Sequence, residues 1–276
     1  MKFTKMQGLG NDFVFIDGYS KDGRSKNINY RKLAASLADR RFGVGADQIL
    51  VLGTSKKADF RMDIYNSDGS QVEMCGNGLR CLAKYVSDHK LTKKSTIQVE
   101  TLAGIQAAQI LSRNRYCIDM GAPILKAKDI PVRLNGRVIN RPVRVDGKEI
   151  RVTCVSMGNP HCVVFVEDLS TFPVAKMGPL LEKHTMFPKK ANVEFVKVHS
   201  SSEIEMRVWE RGAGETLACG SGACAVAVAA SLNGFTDREV EVKLKGGILQ
   251  IEWSRKDGHV LMTGPAETVF EGEIDL

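Results

Sequence analysis

The stretch MCGNG at residues 74–78 recurs as ACGSG at residues 218–222, and this recurrence decides how the rest of the chain is interpreted. Cys75 and Cys219 stand 144 residues apart, and flanking positions keep nearly the same offset. Ordered matches at almost constant spacing predict an internal repeat, and therefore a fold that is built twice. The matched positions are Met62 with Met206, Ile64 with Val208, Tyr65 with Trp209, Gln48 with Asn192, 10–13 with 158–161, and 97–105 with 240–248.

Composition is that of a soluble globular protein of two ordinary domains. The chain has 276 residues, of which 43% are apolar and 26% are charged, which is enough for two cores. The net charge is +7, but the basic residues are dispersed and aromatic residues are few, so the pattern argues against a nucleic-acid surface. A small anionic substrate fits the charge equally well.

Cysteine usage and hydropathy indicate a cytoplasmic protein. Seven cysteines, an odd number without a Cys-x-x-Cys pair, fit neither a disulfide framework nor a zinc site, and no metal is expected. The opening MKFTKMQGLGNDF lacks the apolar segment of a signal peptide. The longest apolar run, residues 223–230, is too short to cross a bilayer, so no membrane contact is expected.

Alternating strand-like and helix-like segments predict an α/β fold with two pseudo-symmetric lobes. Apolar positions recur at helical spacing after Cys75, which predicts a helix with one buried face. The counterpart at 223–232 is apolar or small all round, which predicts an enclosed helix. Each lobe is expected to be a mixed β-sheet or barrel wrapped around a central α-helix, with 125–137 as the crossover. Strands are predicted at 13–16, 48–52 and 60–65, and a further helix at 31–41. Residues 97–105 have a strand-like composition, as do their counterparts at 240–248.

Each repeated cysteine immediately precedes a Gly-x-Gly turn that opens a predicted helix. The first turn of a helix carries unpaired N–H groups and a partial positive charge, which favour a thiolate and lower its pKa. The same donors can hold a substrate carboxylate. Two such helices facing each other would place a sulfur on either side of one Cα–H. One thiolate would remove the proton while the other thiol returns one, which predicts inversion at carbon.

Other interpretations remain open on these residues alone. Two neighbouring thiols could oxidise to each other in a thiol redox protein, and an amino-acid-binding module would need no reactive thiol. The loop at 42–48 lacks the third glycine of a dinucleotide fingerprint, so no such cofactor is expected. The remaining cysteines are interpreted as small buried residues: Cys81, Cys117, Cys154, Cys162 and Cys224.

NSDGSQVEMCGNGLR at 66–80 and ERGAGETLACGSGACA at 210–225 closely resemble the two active-site segments of the diaminopimelate epimerase family. GLGNDF at 8–13 and SMGNPHCV at 156–163 resemble two further family signatures. The resemblance covers the whole chain. It implies an N-terminal lobe over 1–122, a C-terminal lobe over 123–265, and a last strand at 266–276 that returns to the first lobe. The site would lie in the cleft between the lobes.

The resemblance also implies a role for each matching residue. Cys75 and Cys219 would be the catalytic acid/base pair, with His161 and Glu210 tuning the thiols. Arg211 can grip a carboxylate with two parallel hydrogen bonds, and Glu210 suits an ammonium group. The substrate-binding residues would be Asn11, Gln48, Asn66, Gly76, Asn77, Asn159, Asn192, Glu210, Arg211, Gly220 and Ser221.

The implied activity is interconversion of LL- and meso-2,6-diaminopimelate, without a cofactor, in lysine and cell-wall precursor synthesis. The resemblance further implies a homodimer. The nearest alternative is a proline or hydroxyproline racemase on the same fold. Proline has only one amino-acid end, so it would leave unpaired the residues expected to bind the distal end of the substrate, namely Gln48, Asn66, Asn192 and Arg211. Each buried polar group without a partner costs about 1–3 kcal/mol. A phenazine-type isomerase would not need the cysteine pair.

Overall fold

The computed structural model describes residues 1–19, 28–111 and 114–275. These residues form two compact units. The first consists of Met1–Asp119 and Thr263–Leu276, and the second consists of Met120–Met262. Each unit is an α/β structure dominated by its sheet, as the sequence predicted.

In the first unit the sheet has the spatial order β18-β1-β2-β3-β4-β6-β7-β8, with the short β5 beside β4. The pairs β2–β3 and β4–β6 are parallel and the others are antiparallel. The elements are β1 (Lys2–Gly8), β2 (Asn11–Asp17), α1 (Tyr30–Ala38), β3 (Gln48–Gly53), β4 (Phe60–Asn66), β5 (Gln71–Val72), α2 (Gly76–Asp88), β6 (Thr96–Thr101), β7 (Gly104–Ile110), β8 (Tyr116–Asp119) and β18 (Glu267–Glu273).

The second unit repeats this plan. Its sheet has the order β9-β10-β11-β12-β13-β15-β16, with β14 beside β13, and again two pairs, β11–β12 and β13–β15, are parallel. The elements are β9 (Arg141–Val145), β10 (Lys148–Ser156), β11 (Pro160–Phe165), α3 (Val174–Glu182), β12 (Asn192–Ser200), β13 (Glu203–Glu210), β14 (Gly214–Thr216), α4 (Gly220–Leu232), β15 (Glu239–Leu244) and β16 (Gly247–Trp253). The chain returns to the first unit within one further strand, β17 (Val260–Gly264).

A buried central helix organises each unit. The helix α2 packs against β1, β7, β8 and β18, which include strands at both ends of the sheet order, so the sheet curls around it. Its counterpart α4 packs against strands from β10 to β16. Apart from Ser221, every residue of α4 from Gly220 to Ala230 is buried. The small and apolar sequence therefore produces the enclosed helix that it predicted.

The predicted strands of the first half and the helix after Cys75 are confirmed, whereas the helix predicted at 31–41 ends at Ala38. Two further expectations need correction. Residues 97–105 are not one strand-like stretch: Ala103 follows Leu102 in a tight turn, and the segment joins β6 to β7 as a hairpin. Residues 125–137, the expected crossover, lie inside the second unit, which begins at Met120. They contain a 3₁₀ turn at Ala127–Asp129 and a bridge between Lys126 and Arg137. Within the described ranges, no helix is long and apolar enough to span a bilayer.

Candidate active site: two cysteines at helix N-termini

Cys75 is the N-cap residue of α2, as the sequence predicted. Its backbone is extended, and its sulfur accepts the N–H of Gly78 at 3.4 Å. This contact satisfies one of the amide groups that a helix N-terminus leaves unpaired. The thiol also lies 3.9 Å from Asn11 Oδ1. The first repeated motif therefore places a partly exposed sulfur at the positive end of a helix.

Asn11 and Asn77 form a hydrogen-bonded group next to Cys75. Asn77 Nδ2 donates to Asn11 Oδ1 at 3.2 Å, and Asn11 Nδ2 donates to Asp47 Oδ2 at 2.8 Å. Asn77 Oδ1 in turn accepts from Nη1 of Arg80, which is completely buried. These bonds fix both amide groups, so the predicted residues around the first thiol are held in place before a substrate binds.

Salt bridges on one side of this group hold the start of β2, which carries Asn11. Asp12 pairs with Lys5 and Arg40 at 2.7 Å each, and Arg40 also pairs with Asp47. Burial would raise the pKa of Asp12, but the hydrogen bonds from Arg40 and Lys5 outweigh it and lower that pKa to about 2. The carboxylate is therefore ionised at neutral pH and anchors the start of β2.

Gln48 and Asn66 form a second polar group in the first unit. They face each other across β3 and β4, and Gln48 Nε2 donates to Asn66 Oδ1 at 3.0 Å. Asn66 Nδ2 donates to Ser70 Oγ. The buried oxygen Oε1 of Gln48 has no hydrogen-bond partner among the residues that the structure describes. That oxygen is available to accept a bond from a ligand.

Cys219 is the N-cap residue of α4, in the position that corresponds to Cys75. Its surroundings differ, because the residue is only 7% exposed and its sulfur lies 3.6 Å from Ser221 Oγ. Burial raises the pKa of Cys219 well above its ordinary value, and the carboxylates of Glu210 and Glu194 raise it further. The expected lowering of this thiol's pKa by the helix N-terminus is therefore wrong. Burial and two carboxylates outweigh the partial charge of one helix end.

A chain of hydrogen bonds runs from Cys219 into the core of the second unit. Asn159 Nδ2 donates to Ser221 Oγ at 3.3 Å, and Asn159 Oδ1 lies 2.9 Å from His161 Nε2. His161 is completely buried, and its Nδ1 lies 2.6 Å from Glu194 Oε1. The predicted residues Asn159, His161 and Ser221 are thus brought together beside the second thiol.

Glu210 also forms a hydrogen bond with this thiol. Burial raises the pKa of Glu210, while hydrogen bonds from Thr216 and Cys219 and the charge of His161 act in the opposite direction. Thr216 Oγ1 donates to Glu210 Oε1. A carboxyl group with these contacts can share its charge state with the thiol.

Asn192 and Arg211 are joined through the backbone of the second unit. Asn192 Oδ1 accepts the N–H of Arg211 at 2.9 Å, while Asn192 Nδ2 donates to the carbonyl of Pro160. The guanidinium of Arg211 donates to the carbonyl of Lys189 at 3.1 Å, and the residue is exposed. Its other guanidinium donors are therefore accessible to a substrate carboxylate.

The structure adds two residues that sequence reasoning missed. Asp47 orients Asn11, and Glu194 pairs with His161. The sequence signal for Glu194 was available: it is the only charged residue within the buried run at the start of β12. No group of three or more His, Cys, Asp or Glu side chains in the described ranges is arranged to hold a metal ion.

Comparison with known proteins identifies close relatives along the whole chain. A family model described as diaminopimelate epimerase matches residues 3–126 and 153–269. A diaminopimelate epimerase of Acetivibrio thermocellus is 50% identical over 281 residues, covering 100% of this chain and 99% of that protein. One from Desulfitobacterium hafniense is 52% identical over 277 residues, covering 99% and 97% respectively.

Solved structures share the fold at much lower identity. A phenazine biosynthesis protein of the PhzF family from Bacillus anthracis has a TM-score of 0.72 at 17% identity, covering 100% of this chain and 99% of its own. A probable proline racemase from Agrobacterium radiobacter has a TM-score of 0.72 at 12% identity, covering 100% and 93%. These similarities show the fold class and do not distinguish activities within it.

Proposed function

The chain belongs to the diaminopimelate epimerase family, and we propose that it interconverts LL- and meso-2,6-diaminopimelate without a cofactor. The observation that carries the proposal is the pair of cysteines at the N-caps of equivalent helices in two units of the same topology. Relatives about half identical over the whole chain bear the name of this activity. The reaction belongs to lysine and peptidoglycan precursor synthesis.

Cys75 and Cys219 are the two acid/base groups of this mechanism. One sulfur, as thiolate, takes the Cα proton, and the other, as thiol, delivers a proton to the opposite face of the same carbon. The raised pKa of Cys219 keeps that thiol protonated at neutral pH, so in the resting protein it is ready to donate. In the reverse direction the roles exchange.

The helix N-termini stabilise the charge that develops on the substrate. As Cα loses its proton, negative charge moves onto the α-carboxylate, which therefore needs fixed donors. Gly76–Asn77 and Gly220–Ser221 supply backbone N–H groups in the first turns of α2 and α4. Glycine adds no side chain that would keep a carboxylate from these amides.

The remaining polar residues recognise the substrate. The unsatisfied Oε1 of Gln48 suits an ammonium group, and the guanidinium of Arg211 suits a carboxylate. Asn11, Asn66, Asn159 and Asn192 complete the set. Because diaminopimelate has two amino-acid ends, both a reacting and a distal set of partners are needed. His161 and Glu210 tune the thiols.

The proposal includes the organisation of the protein in the cell. Residues 1–122 with 266–276, and residues 123–265, are the two lobes of the enzyme. The protein is a cytoplasmic homodimer with no nucleic-acid or membrane partner. Val269 and Phe270 on β18 are 55% and 47% exposed, which supports an interface with a second copy on this strand. Light scattering coupled to gel filtration would contradict this if only a monomer were present.

The test of the activity is proton exchange at Cα. The protein is incubated with LL-diaminopimelate in D₂O under reducing conditions, without added cofactor, and followed by NMR. Meso product that carries deuterium at Cα is expected. Exchange with proline but not with diaminopimelate would retain the chemistry and reject the substrate. Absence of exchange with either, in folded protein, would contradict the proposal.

A further inference from the structure

A buried glutamate at the end of α3 holds the turn that carries Arg211. Glu182 is the last residue of α3 and is 4% exposed. Its Oε2 accepts from the indole Nε1 of Trp209 at 2.9 Å, and its Oε1 accepts from the backbone N–H of Gly212 at 3.3 Å. Both partners can only donate, so each oxygen of Glu182 acts as an acceptor. The two contacts lie on either side of Glu210 and Arg211 in the chain.

The turn itself, residues 211–213, is exposed and connects β13 to β14. An exposed turn gains little from packing, so its backbone hydrogen bonds determine where it lies. The N–H of Arg211 donates to Asn192 Oδ1 at 2.9 Å, and the N–H of Gly212 donates to Glu182. Two side chains from other elements therefore fix the backbone on both sides of the Arg211 side chain.

Glu182 also contacts the neighbouring segment that supplies further partners of Arg211. Its backbone carbonyl accepts from Ala191 at 3.3 Å, and its Oε1 lies 3.8 Å from Nζ of Lys190. The carbonyl of Lys189, one residue earlier, accepts from the Arg211 guanidinium at 3.1 Å. One residue thus joins both segments that contact Arg211 to the end of α3.

Trp209 is held against the same helix. A methyl group added at Gly178 of α3 would lie 2.5 to 2.7 Å from three atoms of Trp209, so the indole lies directly on the helix backbone. Its N–H is held by Glu182. The next residue, Glu210, has a separate partner, because its Oε1 accepts from Thr216. Loss of the Glu182 carboxylate should therefore displace the turn after Glu210 more than Glu210 itself.

The equivalent position in the first unit shows that this fold forms without the carboxylate. Ala38 stands 144 residues before Glu182 and ends α1 as Glu182 ends α3. Both backbone carbonyls accept from an alanine shortly before the next strand. The residue that corresponds to Arg211 is Ser67. The buried carboxylate and the guanidinium therefore occur in the same unit, and burying a polar group is unfavourable unless its hydrogen bonds are satisfied.

We propose that Glu182 is a positioning residue for substrate recognition, which fixes the turn at 211–213 so that the Arg211 guanidinium is held ready for a substrate carboxylate. Two parallel hydrogen bonds to a carboxylate depend strongly on the position of the guanidinium. Cys219 lies at the start of a different element, α4. Loss of the Glu182 carboxylate should therefore weaken substrate binding and leave the chemical step largely intact. This role rests on the proposed epimerase function, whereas the hydrogen bonds of Glu182 can be measured without it.

The first test is the steady-state kinetics of Glu182→Gln. A glutamine has one acceptor oxygen, so its NH₂ group would face either the indole or the Gly212 N–H, donor against donor. KM for LL-diaminopimelate is expected to rise about tenfold, while kcat changes by less than about twofold. An unchanged KM, or a fall in kcat alone, would overturn the proposal.

Glu215→Gln is the matched control. It removes a glutamate carboxylate from β14 of the same hairpin, where Glu215 pairs with Arg207 and Lys245 at 2.7 Å each. The control should keep KM within about twofold of the wild-type value. An equal rise of KM in both variants would show an effect of charge or of the hairpin as a whole, and would contradict the role of Glu182.

A double-mutant cycle separates positioning from a merely structural role. Glu182→Gln should lower kcat/KM about tenfold in the wild type, but by less than about twofold in an Arg211→Ala background, if it acts through the guanidinium. The ratio kcat/KM is measurable even where the enzyme cannot be saturated. Equal factors in the two backgrounds would contradict the proposal.

Hydrogen exchange tests the contacts without relying on activity. In D₂O, NMR of the wild-type protein is expected to show protection of the Gly212 amide and of the Trp209 indole N–H. In Glu182→Gln at least one of them should exchange about tenfold faster or more. A wild-type Gly212 amide that exchanges as fast as an open turn would overturn the proposal, even if Glu182→Gln does not fold.

The two proposals fail differently. An inactive wild-type protein with a protected Gly212 amide would reject the epimerase function and retain the contacts of Glu182. An active enzyme in which Glu182→Gln leaves KM unchanged would retain the function and reject the role of Glu182.

Discussion

Replacing Gly222 with alanine is expected to slow the reaction about tenfold. Gly222 lies in the first turn of α4. The added methyl group would lie 3.0 Å from Glu194 Oε1 and 3.3 Å from both Cβ and Sγ of Cys219. These distances are tighter than ordinary van der Waals contacts, so the thiol must shift by a few tenths of an ångström.

The substitution affects both the stability of the protein and the position of the thiol. Alanine is more stable than glycine within a helix by about 0.5–1 kcal/mol, whereas an extra methyl in a packed site costs about 1–3 kcal/mol. The free energy of unfolding should therefore fall by about 0–2.5 kcal/mol. Misplacing a reacting group by about 1 Å can cost about 100-fold in rate. A smaller shift of the Cys219 sulfur predicts a fall of about tenfold in kcat/KM, or about 1.4 kcal/mol.

Gly78→Ala in α2 is the matched comparison. Its methyl group would meet Leu50 Cδ2 at 3.1 Å and Cys75 Cβ at 3.5 Å, so the leucine side chain moves before the thiol does. Epimerisation and urea unfolding are measured for both variants. Gly222→Ala should lose more activity than Gly78→Ala. Wild-type kcat/KM in Gly222→Ala, or a greater loss in Gly78→Ala, would refute the reasoning.

Four further substitutions test the account. Cys75→Ala and Cys219→Ala should each abolish epimerisation while circular dichroism shows a folded protein, and full activity in either would contradict the two-base scheme. The lowered pKa of Asp12, about 2, contributes about 2 kcal/mol of stability that is present above pH 4 and lost as the pH falls towards 2. In Asp12→Asn the thermal unfolding midpoint should vary less with pH over that range than in the wild type. An unchanged pH dependence would contradict this contribution of Asp12 to stability. Gly178→Ala places a methyl 2.5 to 2.7 Å from three atoms of Trp209 and should lower the free energy of urea unfolding by about 1–3 kcal/mol; an unchanged midpoint would show that the ring moves freely.

The parts of the fold that depend on local pattern were predictable from the sequence. Periodic apolar residues located α2, and uniformly small ones located α4, because both patterns report burial directly. The Gly-x-Gly turns located both N-caps. The turn within 97–105 was missed because the residues on either side of it have similar strand-like composition.

The parts of the site that depend on long-range packing were not predictable. Glu194 reaches His161 only because β11 and β12 pair in parallel with His161 opposite Asn192. Nothing local to either residue specifies that register. The direction of the Cys219 pKa shift depends on burial and on carboxylates from two other strands. A local rule about helix N-termini accounts for neither contribution.

The distribution of deuterium at low conversion tests the two-base mechanism most directly. LL-diaminopimelate is incubated in D₂O and the reaction is stopped early. If separate thiols remove and return the proton, the meso product carries deuterium at Cα while the remaining LL substrate retains protium, because the abstracting sulfur holds the substrate's own proton. Product that retains protium, or equal labelling of substrate and product from the start, would show a single acid/base group and contradict the roles of Cys75 and Cys219.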